Sequence, residues 1–317
     1  MIAAVLSKPQ TFTLQQSPIP DIQDNEIKIK VEGCGICASS IPVWEGREWF
    51  QYPLEPGSPG HEGWGIVEMA GDNIIGINIG DRVAFLSYHA YAEYDVSKEG
   101  SFVKLPPQLA NIPFPGEPLG CAINIFNRSD ISKDDTVAIV GIGFLGALLC
   151  QLAKQRGAKV IAISRREYSL DFARKYGADE VIPLTSTWEV ANKVGEITGN
   201  TYCNRVIEAT GKQEGIDVAT EIIGEYGKMI IAGYHQDGLR QVNMQKWNWK
   251  AIDVINAHER DASKYLTGMQ SAVDAVMQGI IDPHLLYTDI LPLDAISKGF
   301  ELTKKRPDGF MKALIQL

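Results

Sequence analysis

One run constrains this chain more than any other: Thr136-Val-Ala-Ile-Val140 followed by Gly141-Ile142-Gly143-Phe144-Leu145-Gly146. A short apolar strand, a G-x-G-x-x-G turn and an apolar helical segment reaching about Arg156 form the opening of a dinucleotide-binding unit. The first glycine permits the tight turn, the second lets a pyrophosphate approach the backbone, and the third lets helix and strand pack closely. Alone the motif is weak. Five further strand-like runs follow it: Lys159–Ile163, Glu180–Ile182, Arg205–Ala209, Lys228–Ala232 and Ile252–Ile255. Helical stretches separate the earlier ones, including Glu167 to Tyr176 and a segment opened by the capping box Ser186-Thr-Trp-Glu189. Strands alternating with helices predict an α/β fold, a Rossmann doubly wound parallel sheet over residues 123–262.

The rest of the chain has another texture. Residues 1–122 are dense in Gly and Pro, and Ile27-Lys-Ile-Lys-Val-Glu32 alternates apolar with charged residues as a half-buried strand does. Val83–Leu86 and Tyr91–Tyr94 read as further strands. A β-rich domain is expected here, completed by the tail 263–317 with a helix near Lys264–Gln278 and a strand near Tyr287–Leu291. A chain of 317 residues is long enough for two such domains.

Composition excludes several function classes. Lys and Arg number 30 against 39 Asp and Glu, a formal charge of −9 without a basic tract, which argues against a nucleic-acid partner. The longest apolar run, Val137 to Ala153, is interrupted by glycines and falls short of the roughly 20 residues a membrane helix needs. Met1-Ile-Ala-Ala-Val5 lacks the basic and apolar regions of a signal peptide. The five cysteines, Cys34, Cys37, Cys121, Cys150 and Cys203, are odd in number and scattered, as reduced thiols are. A soluble, cytoplasmic protein is expected.

The end of the second Rossmann strand sets cofactor preference. An acidic residue there would bind the ribose hydroxyls of NAD. This chain has Ser164-Arg165-Arg166, whose hydroxyl and two guanidiniums suit the 2′-phosphate of NADP. The competing reading of Ser164-Arg-Arg-Glu167 is a capping box with solvated arginines.

Cys37, His61, Glu62 and Glu117 offer thiolate, imidazole and carboxylate, the donors that zinc takes. Their separation in sequence does not by itself establish a site. A buried Cys, a core His and surface carboxylates account for them singly.

The motifs in order, Gly33-Cys-Gly-Ile-Cys37, Gly60-His-Glu-Gly-Trp-Gly65, Gly80-Asp-Arg-Val83, Glu117-Pro-Leu119, the Gly141 turn and Lys175-Tyr-Gly-Ala-Asp179, resemble a medium-chain dehydrogenase/reductase of the zinc-dependent alcohol and polyol dehydrogenase type. The resemblance covers nearly the whole chain. It implies a GroES-like catalytic domain joined to the Rossmann domain. It implies Cys37, His61 and Glu117 as zinc ligands, with Glu62 a fourth, exchangeable ligand or a supporting carboxylate. Cys121, four residues past Glu117, is the alternative third ligand. Ser39 matches the position that passes the substrate proton outward. The relay histidine of many members is replaced by Pro42, so the relay ends at solvent or uses Ser40 or a water. The cysteine-rich lobe that holds a structural zinc in some members is missing after Gly80-Asp-Arg-Val83. One catalytic zinc is therefore expected and no structural one.

The expected activity is hydride transfer between NADP(H) and a secondary alcohol or ketone, with a polyol or cyclitol as substrate and a homodimer or homotetramer as the assembly. A zinc-free enoyl or quinone reductase on the same fold and a non-catalytic cofactor-binding protein are the competing readings. Trp44, Trp49 and Tyr52 are candidates for the substrate pocket or the barrel core. Tyr234 and His258 stand at strand ends where a cofactor would lie, although a satisfied structural histidine is the preferred reading of His258.

Overall fold

The computed structural model describes residues 1–317. The first part of the chain is built of short strands: β1 (Ile2–Lys8), β2 (Thr11–Gln16), β3 (Glu26–Gly35), the short helix α1 (Ile41–Glu45), β4 (Gly63–Ala70), β5 (Arg82–Phe85), β6 (Tyr94–Lys98) and β7 (Phe102–Lys104). Helix α2 (Gly116–Ser129) carries the chain onward. The strand–helix alternation follows: β8 (Thr136–Val140), α3 (Phe144–Gln155), β9 (Lys159–Ser164), α4 (Glu167–Lys175), β10 (Glu180–Pro183), α5 (Thr187–Thr198), β11 (Cys203–Glu208), α6 (Gln213–Ile222), β12 (Ile223–Ile231), α7 (Met244–Lys250) and β13 (Asp253–Asn256). The tail adds α8 (Ala262–Met277), β14 (Tyr287–Pro292), α9 (Ile296–Lys305) and β15 (Lys312–Gln316). No helix is long and apolar enough to cross a membrane.

Two units result. One comprises Met1–Gly120, Arg260–Met277 and Pro283–Leu317; the other comprises Cys121–Glu259 and Gln278–Asp282. The second holds a six-stranded sheet in the order β10-β9-β8-β11-β12-β13. All its pairings are parallel. Numbered within the sheet this is 3-2-1-4-5-6, the doubly wound order of a Rossmann fold. Helices cover both faces, so the central strand runs Val-Ala-Ile-Val with every one of these side chains fully buried.

The first unit holds a seven-stranded sheet running β14-β15-β3-β4-β5-β7, with β6 also paired to β3. Its core gathers Ile27, Ile29 and Val31 from β3, Trp44 from α1, Phe300 from α9, and Tyr91. The alternation read in Ile27–Glu32 is thus that of a strand with an apolar inner face. Tyr91–Tyr94, expected as a strand, is one only from Tyr94 onward. Ala92 makes a single bridge to Ala3, and Tyr91 is buried because its ring packs in the core while its hydroxyl donates to the Gly35 carbonyl at 3.0 Å. Burial without ladder pairing produced the strand-like pattern.

Candidate functional site

The metal-ligand candidates come together through one strand pair. β3 and β4 are antiparallel, with Cys34 opposite Gly63. The residues just after β3 therefore stand beside those just before β4. Gly35 makes this approach possible, because a Cβ there would lie 1.9 Å from Glu62 Oε2. Cys37 Sγ, a nitrogen of His61 and a carboxylate oxygen of Glu62 all lie within 4.8 Å of one another. Cys37 caps a single helical turn, Ala38–Ser40, and its sulfur accepts from the Ser39 amide at 3.5 Å and the Ser39 hydroxyl at 3.1 Å. His61 Nδ1 is 3.1 Å from the Pro59 carbonyl. That contact makes Nδ1 the donor and leaves Nε2 to face a ligand.

Glu117 lies in the first turn of α2 and outside this group of three, although its charge acts on His61. Burial works to lower the His61 pKa, yet the hydrogen bond and charge of Cys37, with the charges of Glu117 and Glu62, carry it up to about 10. The thiol and carboxylates gathered around the part-buried His61 ring mark a place built for positive charge. One thiolate, one imidazole and carboxylates form the donor set of a zinc site, so these side chains fit that ion.

A residue not read from the sequence completes the arrangement. Lys312, at the start of β15, is buried and reaches both oxygens of fully buried Glu62, Oε1 at 2.8 Å and Oε2 at 2.6 Å. It also donates to the Ile36 carbonyl at 3.1 Å. Burial pushes the Lys312 pKa down, but the charges of Glu62 and Cys37 outweigh this and the net shift is upward. The only sequence signal was a charged residue heading an apolar strand, Lys312-Ala-Leu-Ile315. Tyr88, also unforeseen, is 66% exposed and sets its ring 5.6 Å from that of His61.

The remaining candidates near Cys37 divide. Trp44 is core, with its ring 5.9 Å from Phe300. Trp49 is exposed, and the Tyr52 hydroxyl bonds the Val43 carbonyl. Ser40 and Pro42 are buried. Cys121 lies one turn beyond Glu117 in α2.

In the second unit, Gly141 turns the chain after β8 at φ +102°. Gly146 lies so close beneath it that a Cβ would be 2.1 Å from the Gly141 carbonyl. A Cβ on Gly143 would meet nothing within 4 Å, so the backbone there faces open space. No side chain caps α3, whose first residues are Phe144, Leu145 and Gly146. Its N-terminal amides and the dipole end suit a diphosphate. Open space at the second glycine and an uncapped helix start are the features a dinucleotide needs.

Ser164, Arg165 and Arg166 stand at the end of β9 as expected, but not as a capping box. Arg166 is the N-cap of α4 and makes no side-chain cap bond. The extended backbone of Arg166 moves the helix start two residues past Ser164, out of reach of its N-terminal amides. Ser164 is buried, and its hydroxyl accepts from the Arg166 amide at 3.4 Å. Arg165 is exposed and 3.6 Å from Glu214, a loose surface pair. The Ser186 box does form, with Ser186 Oγ accepting from the Glu189 amide at 3.2 Å. Tyr234 and His258 meet ring to ring at 5.3 Å, and His258 Nε2 is 3.3 Å from the Gly233 carbonyl.

Comparison with known proteins adds a further finding. Residues 23–107 match the family described as alcohol dehydrogenase GroES-like domain, and residues 145–281 match zinc-binding dehydrogenase. The chain is 28% identical to D-arabitol-phosphate dehydrogenase of Enterococcus avium, over 82% of this chain and 89% of that protein. It is 27% identical to sorbitol dehydrogenase of Halalkalibacterium halodurans, over 78% and 81% of the two. The crystal structure of a zinc-binding dehydrogenase from Sinorhizobium meliloti bound to NADP superposes with a TM-score of 0.86 at 22% identity, covering 100% of this chain and 99% of that one.

Proposed function

Since the chain belongs to the zinc-binding alcohol and polyol dehydrogenases of the medium-chain dehydrogenase/reductase family, we propose that it interconverts a secondary alcohol and its ketone on a polyol-like substrate. NADP(H) is the redox partner. Cys37, His61 and Glu117 would hold one zinc ion, with Glu62 beside them. The observation that carries this reading is the meeting of Cys37, His61 and Glu62 within 4.8 Å. The names of the two relatives, which act on arabitol phosphate and sorbitol, support a hydroxylated substrate.

Zinc, when bound, supplies a Lewis acid for the substrate oxygen, and the nicotinamide supplies the hydride acceptor or donor. The chain's own residues do the rest. Ser39, hydrogen-bonded to Cys37 Sγ at 3.1 Å, receives the hydroxyl proton of the alcohol and passes it outward. Pro42 has no group to take it further, and Ser40 is buried, so the relay ends at solvent. Lys312 pairs with fully buried Glu62 and holds it against the ligands. The Gly141–Gly146 turn and the start of α3 hold the diphosphate.

Elemental analysis of protein purified without chelator, with turnover of polyols and ketones followed at the nicotinamide absorbance, tests the reading. About one zinc per chain is expected, as a catalytic site without a structural one would give. Absence of zinc after reconstitution would overturn the ligand set.

Cofactor choice rests on Arg165 and Arg166 directly following Ser164, the last residue of β9, with no carboxylate among these three residues. The double variant Arg165→Ala/Arg166→Ala is expected to lose about tenfold to a hundredfold in kcat/KM with NADP, the range of one or two charge-assisted hydrogen bonds. Its kcat/KM with NAD should stay within about threefold of the wild type. An equal loss with both cofactors would contradict the assignment.

A further inference from the structure

Four cations at the end of α9 and the start of β15 differ in their partners. Lys312 is paired with Glu62, Lys304 Nζ reaches Glu45 at 2.9 Å, and Lys305 Nζ reaches Glu301 at 2.9 Å. The fourth is Arg306. Its Nε donates to the Thr303 carbonyl at 3.4 Å, and neither Nη group meets a protein acceptor. No carboxylate of the chain answers its charge.

Its position is fixed from both sides. On one side α9 docks on α1: Phe300 stacks near Trp44 at 5.9 Å, and Lys304 lies over the same indole at 5.7 Å while pairing with Glu45. On the other side β15 is tied to the residue before Cys37, since Ile36 donates to the Ala313 carbonyl at 3.0 Å and accepts from Lys312. The bend that carries Arg306 therefore flanks the turn that carries Cys37. Burial lowers the Arg306 pKa, and the charge of Cys37 works against that lowering. Arg306 nevertheless keeps solvent access. Its backbone is left-handed, φ +46°, at the C-terminal cap of α9, a place that glycine usually takes. The chain thus puts an arginine where backbone preference alone would favour glycine.

We propose that Arg306 selects an anionic substrate: its free guanidinium edge receives a phosphate monoester or a carboxylate carried by the polyol whose hydroxyl is oxidised beside Cys37 and His61. The planar fork of two Nη groups matches two oxyanion oxygens at once. This rests on the dehydrogenase reading above and narrows its substrate class. A neutral polyol would leave the exposed guanidinium to water. A charged one engages it and orients the chain of hydroxyls toward the metal ligands.

The test uses the zinc-loaded protein and polyols of four to six carbons, each compared with its monophosphate and its aldonate. Binding is read by isothermal titration and turnover by nicotinamide absorbance. The variants are Arg306→Gly, which suits the left-handed backbone, and Arg306→Lys. In the wild type, a phosphate ester or an aldonate should bind and turn over better than its neutral parent, and whichever does so identifies the anion. Arg306→Gly should weaken binding of that anion about tenfold or more, leave the neutral parent unchanged and keep the melting temperature. Arg306→Lys should fall between. An equal loss for charged and neutral substrates, or a wild type that prefers no charged member, would overturn the proposal while leaving the dehydrogenase reading intact. Weaker NADPH binding in Arg306→Gly, read by nicotinamide fluorescence, would overturn it too, because the cation would then serve the cofactor phosphates. Anion binding that depends on Arg306 in a protein that oxidises no alcohol would refute the dehydrogenase reading alone.

Discussion

Cys37→Ser is expected to lose both the metal and the reaction. The hydroxyl is a poor zinc donor where a thiolate stood, and the three donors within 4.8 Å are reduced to two. A Lewis acid at the substrate oxygen contributes several kcal/mol to the transition state. Losing about 4 kcal/mol corresponds to roughly a thousandfold in rate. Zinc per chain should fall close to zero in the same preparation, while far-UV circular dichroism and NADPH binding stay as in the wild type. The dinucleotide turn is built from Gly141 to Gly146, remote in sequence from Cys37. Turnover that survives the substitution intact would remove Cys37 from the ligand set.

Lys312→Met should produce the largest loss of stability of any single change considered. Glu62 is fully buried and both its oxygens face Lys312 Nζ, at 2.8 and 2.6 Å. Removing one partner of a buried pair leaves an uncompensated charge and costs about 3–5 kcal/mol. For a chain of this size, a melting temperature about 10 °C lower follows. The double variant Lys312→Met/Glu62→Gln should regain much of that stability, since the orphaned charge is gone. Denaturant unfolding of the four proteins of the cycle gives the coupling directly. A single variant within about 1 kcal/mol of the wild type would show that the pair does not hold this corner of the fold together.

What could be read beforehand depended on distance along the chain. The Rossmann sheet was legible because each of its decisions is local: an apolar run, a glycine turn, a helix and another run, all within about 30 residues. Cys37, His61 and Glu62 were legible only as a family pattern. Their meeting depends on the β3–β4 register, which no short window contains. Lys312 was not legible at all. It lies 250 residues from Glu62, and a lysine at the head of a strand ordinarily faces water. Arg306 was hidden for a related reason. In Lys304-Lys305-Arg306 the three cations look alike; the packing of α9 on α1 gives Lys304 its partner Glu45, Lys305 pairs along its own helix with Glu301, and Arg306 is left without a carboxylate. Tyr91 misled in the opposite direction, since its burial comes from core packing and was mistaken for strand alternation.

The order in which the sheets are encoded has a consequence for how the protein matures. All six strands of the second unit lie between Thr136 and Asn256, whereas the seven-stranded sheet of the first needs β14 and β15, which come later. During synthesis from the N-terminus the unit that begins second is thus the first to possess its whole sheet. The residues around Cys37 and His61 emerge early and wait, beside an unfinished sheet, for a lysine made 250 residues after Glu62. The closure of so long a loop is the slow kind of contact. The candidate metal pocket is then the last part of the chain to take its final form, and the ion would enter a protein whose dinucleotide-binding half is already folded.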